Sequence, residues 1–135
     1  MQRINIITGV REEGLTDELT DSIVEFCKCE TSINDEVYTN DRLLKTMLIS
    51  SHKHTVDKMK DVFDTMGAEV TVQHVVDMHD IPGLIIKSMA NLVYIDMLED
   101  MFSVGVHTFK ELERMSSVYG FDLVYNRSYE NVVIS

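Results

Sequence analysis

The sequence is poor in basic residues. Its 135 residues include 12 lysines and arginines against 23 aspartates and glutamates, which gives a formal net charge of −11. Nucleic-acid backbones and anionic membrane surfaces both repel a chain of this charge, so direct binding to either is disfavoured. The imbalance instead favours a partner that is itself basic.

Cysteine and long apolar runs are scarce as well. Cys27 and Cys29 are the only two cysteines, and at this spacing in a helical pattern they point in different directions and cannot easily form a disulfide. No N-terminal segment has the pattern of a secretory leader, so two free thiols predict a reducing, cytoplasmic location. The uncharged runs are shorter than the roughly 18 residues that a transmembrane helix needs.

The apolar content is that of a folded protein, because 44% of the residues are hydrophobic. We therefore expect one globular domain that spans residues 1–135. The predicted elements of its first part are a strand at 4–8, a helix after Thr16, a hairpin at 37–39 and 43–50 that turns at Asn40-Asp41, a helix after Thr55 and a strand at 68–76. This order predicts an α+β fold with a ferredoxin-like βαββαβ core over residues 1–78, in which two helices cover one face of an antiparallel sheet.

The longest apolar segment, from Pro82 to Phe102, follows this predicted core. It contains only two charged residues between positions 84 and 98, Lys87 and Asp96, and a helix that is apolar on all sides must be buried in a core or in a partner. We expect residues 79–135 to pack on the core as a C-terminal extension, and the chain to form a homodimer. The predicted elements of this extension are the helix at 82–102, a helix after Thr108 and a hairpin at 121–125 and 129–134 that turns at Asn126–Ser128.

Acidic residues are concentrated between Glu12 and Glu36. This stretch has nine acids and a single base, Lys28. A solvated helix face accounts for such a cluster, and so does a surface that binds a basic partner. On the second interpretation the candidate contact residues are Glu12, Glu13, Asp17, Glu18, Asp21 and Glu25.

Histidines form the one cluster that suggests metal chemistry. His52 and His54 follow one predicted strand, and His74 and His79 lie at the end of the next. Alternate residues of an extended chain could share a metal ion, but adjacent antiparallel strands end at opposite edges of a sheet. We therefore expect no tightly bound structural transition metal, and we predict no cofactor.

Motifs for nucleophilic or nucleotide chemistry are absent from the sequence. It contains no G-x-S-x-G, no P-loop and no G-x-G-x-x-G. The first strand followed by Arg11, Leu15 and Asp17-Glu18 resembles the start of phage S-adenosylmethionine lyases over some ten residues. That resemblance implies a ferredoxin-like core and an activity on S-adenosylmethionine.

Three functional hypotheses follow. The first is an acidic, non-enzymatic protein that binds and inhibits or occludes a basic surface of a nucleic-acid-binding protein, as small phage anti-defence inhibitors do. The second is a small enzyme with a pocket at a subunit interface, which uses the His/Asp cluster or resembles the S-adenosylmethionine lyases. The third is a ligand-sensing ferredoxin-like module. The missing catalytic motifs and the charge favour the first, with no catalytic residue assigned.

Overall fold

The computed structural model describes residues 3–9, 14–40, 45–96 and 106–128. The strands are β1 (Ile4–Gly9), β2 (Glu30–Ile33), β3 (Glu36–Thr39), β4 (Thr46–Ser50), β5 (Val70–His74), β6 (Leu92–Asp96) and β7 (Asp122–Ser128). The helices are α1 (Leu15–Lys28), α2 (Lys53–Met66), α3 (Ile81–Ser88) and α4 (Val106–Tyr119), and a 3-10 turn at Met78–Asp80 precedes α3. Within these ranges no helix combines the length and the apolarity that crossing a membrane requires.

Five of the strands form one parallel sheet. Their order is β1-β7-β6-β4-β5, and every neighbouring pair is parallel. All residues of β4 and β6 are buried, as expected for strands of a parallel sheet that helices cover on both faces. The remaining two strands, β2 and β3, form a separate antiparallel hairpin.

Helices divide between the two faces of the sheet because alternate strand residues point to opposite sides. Leu48 and Tyr94 pack with apolar residues of α1, α2 and the hairpin. Their chain neighbours Ile49 and Ile95 pack with apolar residues of α3 and α4 on the other face. The sheet is therefore the middle layer of a three-layer structure.

The ferredoxin-like prediction requires an antiparallel sheet, and the parallel sheet corrects it. The ferredoxin-like prediction depends on a hairpin that turns at Asn40-Asp41. The chain instead turns at Asn34 and Asp35, whose φ angles of 50° and 65° are left-handed, and joins β2 to β3. Asn and Asp tolerate this conformation in tight hairpin turns. The strand β4 is thereby left to pair with β5 and β6.

The prediction of one continuous helix from Pro82 to Phe102 is wrong in its middle part. The helix begins close to the predicted start, with Asp80 as its N-cap and Pro82 in its first turn. It ends at Met89, whose φ is 55° and whose N–H donates to the carbonyl oxygen of Ile85 at 3.0 Å. Residues 92–96 then form β6, because a short apolar run suits a buried strand as well as a buried helix. The part of the prediction at 97–102 lies outside the described residues.

This correction removes the main reason for expecting a dimer. The apolar residues of β6 are covered within the chain by helices on both faces. The homodimer stays a prediction that no feature of the described residues tests. The single domain over residues 1–135 also stays a prediction, and the segments 1–78 and 79–135 both contribute strands to the one sheet.

The C-terminal hairpin is corrected in part. The strand expected at 121–125 is present, but as β7 it continues through the predicted turn at Asn126–Ser128 and pairs in parallel with β1 and β6. The second strand, predicted at 129–134, lies outside the described residues. The helix predicted after Thr108 is α4, which begins at Val106, two residues before Thr108.

Candidate functional site

The acidic residues predicted to bind a partner lie mainly on α1. Asp17, Glu18, Asp21 and Glu25 are all exposed on this helix, and their spacings of three and four residues place them on neighbouring turns of one side. We call these four residues the acidic face. The opposite side of α1 is buried in the core. Glu12 and Glu13 lie outside the described residues.

Three residues of the acidic face line a pocket of about 280 Å³ between α1 and the β2–β3 hairpin. The pocket is lined by Ile7, Thr8, Glu18, Asp21, Ser22, Glu25, Thr31, Ser32, Ile33 and Asn34. Its wall therefore combines three carboxylates with hydroxyl and amide groups, and no Lys or Arg is among the described residues that line it. The volume is at the small end of the range of about 300–1,000 Å³ for small-molecule pockets, which suits one side chain or one small cation.

Hydrogen bonds hold the helix side of this pocket to the hairpin. The hydroxyl of Thr31 on β2 donates to Glu25 Oε2 at 3.3 Å. It also lies 3.4 Å from the hydroxyl of Ser22, which in turn lies 3.1 Å from the hydroxyl of Tyr94 on β6. The pocket is thus built on the central sheet rather than on a free loop.

The hairpin is fastened to the edge of the sheet by Arg3 and Asn34. The Arg3 guanidinium lies 3.8 Å from the centre of the Tyr38 ring and donates to the Val37 carbonyl at 2.8 Å. The Asn34 amide donates to the Ile6 carbonyl of β1 at 3.0 Å. The Asn34 contact satisfies part of the open edge of β1, and the contacts together fix the far wall of the pocket.

The electrostatics of the pocket favour a cation. Neither Glu18 nor Asp21 has an ion pair with any residue in the described part of the chain. Like charges at spacings of three or four residues on a helix repel each other weakly. A Lys or Arg side chain that enters the pocket would remove that repulsion and find several hydrogen-bond acceptors.

The two histidine clusters lie at the same edge of the sheet, contrary to the sequence argument. The strands β4 and β5 are parallel, and Ser50 is paired with His74. His74 is therefore at the carboxyl end of β5, beside the carboxyl end of β4, which His52 follows. Nevertheless, no group of three potential ligands that could hold a metal ion occurs among residues 3–9, 14–40, 45–96 and 106–128. The absence of a structural transition metal stays a prediction.

The histidines have separate partners. His74 Nε2 lies 3.0 Å from the carbonyl oxygen of Ser51. His79 Nδ1 lies 2.8 Å from Asp77 Oδ1. The backbone N–H of His79, followed by its ring, lowers the pKa of the Asp77 carboxyl. The fourth candidate, His54, is exposed on the first turn of α2.

Sequence reasoning missed a buried carboxylate, Asp96, at the carboxyl end of β6. This residue is fully buried. It accepts hydrogen bonds from Ser50 Oγ at 3.0 Å and from Asn126 Nδ2 at 2.7 Å, and the Thr16 side chain is a third hydrogen-bond partner. We call Asp96, Ser50, Asn126 and Thr16 the Asp96 network.

The environment of Asp96 disfavours its charged form. Burial is the largest influence and raises the pKa of the carboxyl, while the three hydrogen bonds and the nearby His52 act in the opposite direction. The sequence carried one signal of this site: Asp96 is one of only two charged residues in the apolar run between positions 84 and 98.

Comparison of the chain with protein-family models and with curated protein sequences gives no match.

Proposed function

We propose that this chain is a non-enzymatic interaction protein whose acidic face binds a basic surface of another protein. On this proposal it inhibits or occludes the nucleic-acid-binding surface of its partner, which is the mode of action of small phage-encoded anti-defence inhibitors. The observation that carries the proposal is the pocket, where Glu18, Asp21 and Glu25 converge on a space large enough for one basic side chain.

The charge of the whole chain supports the same function. A net charge of −11 on 135 residues produces a field that attracts a basic partner over the distance of a Debye length, about 8 Å at physiological ionic strength. Electrostatic attraction of this kind raises the association rate more than it slows dissociation. The pocket then supplies what a diffuse field lacks, a defined place for one cationic group.

The experiment is a capture of the partner from host extract, followed by titration of the purified partner with two matched variants. The pocket variant carries Glu18→Gln, Asp21→Asn and Glu25→Gln. The control variant carries Asp61→Asn, Asp64→Asn and Glu69→Gln, three exposed acids outside the pocket. Each variant changes the formal net charge by three, from −11 to −8, so the two remove the same charge at different places on the surface.

We expect the pocket variant to weaken binding by about tenfold or more, which corresponds to about 1.4 kcal/mol. The control variant should weaken it much less, because exposed charges away from the contact act only through the screened field. Binding by wild type should also fall as salt rises from about 0.05 to 0.5 M. Equal losses of affinity in the two variants would mean that only the overall charge acts and that the pocket is not the binding site. No loss of affinity in either variant would contradict the proposal.

The enzymatic and ligand-sensing alternatives have less support. The likeness to S-adenosylmethionine lyases implied a ferredoxin-like core, whereas the sheet is parallel. The His/Asp cluster brings no three ligands together among the described residues. A ligand-sensing module would show ligand-dependent stabilisation, which thermal melting with and without candidate small ligands would measure.

A further inference from the structure

The pocket between α1 and the β2–β3 hairpin is lined mainly by groups that accept hydrogen bonds. Its three carboxylates can only accept when they are ionised. The side-chain amide of Asn34 also lines the pocket, and its Nδ2 donates to Asn5 Oδ1 at 3.3 Å and to the Ile6 carbonyl oxygen at 3.0 Å. Both N–H groups of this amide are therefore used, and its Oδ1 remains as a further acceptor.

The hydroxyl groups at the base of the pocket form a chain whose protons all point toward Glu25. Thr31 donates to Glu25 Oε2, and because a hydroxyl has one proton, Thr31 can only accept from Ser22. For the same reason Ser22 accepts from Tyr94. The Tyr94 side chain is 0% exposed, and burial raises the pKa of its phenol, so it keeps the proton that it donates. No proton of this chain is left to donate to a ligand.

Glu25 is held in place, whereas Glu18 and Asp21 are not. Thr31 fixes one carboxylate oxygen of Glu25. Within the described ranges neither Glu18 nor Asp21 has a hydrogen bond to the hairpin or an ion pair. A group that is already positioned loses less conformational entropy when a ligand binds. Glu25 is therefore the best anchor for a cation in this pocket.

The three carboxylates surround the pocket without meeting at one point. Glu18 and Glu25 are seven residues apart on α1, about 10 Å along the helix axis. In the part of the chain that the structure describes, no three His, Cys, Asp or Glu side chains are close enough to hold a metal ion. A compact ammonium group would reach only part of this set. A guanidinium group is planar and presents five N–H donors in a rigid fork, so it can bond to acceptors on more than one side.

Two isoleucines add an apolar surface to the pocket. Ile7 and Ile33 both line it, and they are 6% and 5% exposed. The faces of a guanidinium group are weakly hydrated and can lie against apolar side chains while its edge donates hydrogen bonds. An ammonium group is strongly hydrated and has no such face. The lining therefore favours a guanidinium group over an ammonium group.

We propose that the pocket binds a guanidinium group and that its occupant is an arginine side chain of the protein partner. This inference rests on the proposed function for the existence of that partner, and it specifies which basic side chain enters the pocket. Glu25 receives two parallel N–H···O bonds from the guanidinium. Glu18, Asp21 and Asn34 supply acceptors for the remaining N–H groups.

The lining favours an arginine within a polypeptide over free arginine. No Lys or Arg is among the described residues that line the pocket. The α-carboxylate of free arginine would find no cation there, and the three carboxylates and the net charge of −11 would repel it. An arginine within a polypeptide lacks this carboxylate.

The test is a titration of the full chain followed by heteronuclear NMR, with three small probes of equal net charge. The probes are N-acetyl-arginine amide, N-acetyl-lysine amide and free arginine. The blocked arginine should shift the amide resonances of Ser22, Thr31 and Ser32. Its dissociation constant should lie in the millimolar range and be at least about fivefold lower than that of the blocked lysine. Free arginine should bind more weakly than blocked arginine.

Single variants test whether Glu25 is the anchor. Glu25→Gln should weaken binding of the blocked arginine about tenfold and bring the arginine and lysine probes to similar affinity. Thr31→Val removes the hydroxyl that holds Glu25, so it should weaken the arginine probe and leave the lysine probe nearly unchanged. Asp61→Asn, at an exposed acid of α2 outside the pocket, should change neither affinity. The comparison of the three probes on wild type does not depend on whether these variants fold.

Equal affinities of wild type for blocked arginine and blocked lysine would overturn the proposal. Resonance shifts mainly outside the pocket, or no shift at about 50 mM probe, would overturn it as well. Tighter binding of free arginine than of blocked arginine would overturn the assignment of the occupant to a protein.

The probes require no partner, so this proposal and the proposed function can fail separately. Equal affinities for the probes, together with loss of partner binding in the pocket variant, would refute only the choice of arginine. Selective binding of the arginine probe, together with undiminished partner binding by the pocket variant, would refute the proposed function and the assignment of the arginine to that partner. The pocket would then remain a guanidinium site.

Discussion

Paired truncations in β4 test whether both faces of the sheet are covered. Leu48 and Ile49 are adjacent in the chain, point to opposite faces, and are each 0% exposed. Leu48 packs in the core beneath α1 and α2, and Ile49 packs beneath α3 and α4. In a sheet with one bare face, one of the two side chains would be half-exposed.

The expected magnitudes follow from this burial. Full burial of a Leu or Ile side chain contributes about 1.5–3 kcal/mol, and the cavity left by truncation raises the loss to about 2–5 kcal/mol. We expect Leu48→Ala and Ile49→Ala each to lower the free energy of unfolding by this amount. The two losses together approach the whole stability of a domain, about 5–15 kcal/mol, so the double variant should be largely unfolded at room temperature.

The assay is urea unfolding followed by far-UV circular dichroism, with Val118→Ala as the control. Val118 lies on α4 and is 60% exposed, so its truncation should change the free energy of unfolding by less than about 0.5 kcal/mol. With a urea slope of about 1–3 kcal/mol per molar, each core variant should lower the midpoint by about 1 M or more. A loss below about 1 kcal/mol for either core variant would refute the two-sided burial.

Three further predictions concern single sites. The pKa of the Asp96 carboxyl is raised in the folded state, chiefly by burial. The protonated carboxyl therefore contributes to the free energy of unfolding at low pH, and this contribution is lost as pH rises through that pKa. Asp96→Asn should therefore gain stability relative to wild type from about pH 4 upward, measured by urea unfolding at several pH values. Burial raises the pKa of the half-buried Cys27 thiol to about 11, so a thiol reagent at neutral pH should modify the exposed Cys29 first, as mass spectrometry of partly labelled protein would show. Asp35→Val should lower the free energy of unfolding by about 1–2 kcal/mol, because the φ of 65° is unfavourable for a β-branched residue; an unchanged melting temperature would contradict this.

Local signals were sufficient for most individual elements. The helices predicted after Thr16 and Thr55 are α1 and α2, whose apolar stripes pack in the core. The glycines that follow α2 and α4, Gly67 and Gly120, have φ angles of 72° and 76°. The acidic face could also be predicted from sequence, since its residues share one side of α1 at helical spacing. These features depend on residues within a few positions of one another.

Strand pairing could not be predicted in the same way, because it depends on contacts between distant parts of the chain. Asn34-Asp35 and Asn40-Asp41 carry similar turn chemistry, and only the first joins a hairpin in the structure. The apolar segment at 92–96 fits a buried helix or a buried strand equally well, and its place between β4 and β7 decides for the strand.

The Asp96 network was beyond the reach of sequence for the same reason. Its members come from α1, β4, β6 and β7, and Ser50 and Asp96 alone are separated by 46 positions. The sequence by itself determined the composition, the charge, the amphipathic helices and their ends, because these arise from local spacing and backbone preference. Only the tertiary structure decided that the strands run parallel and that their carboxyl ends meet, since a buried side chain acquires its hydrogen-bond partners and its shifted pKa from whichever strand lies beside it.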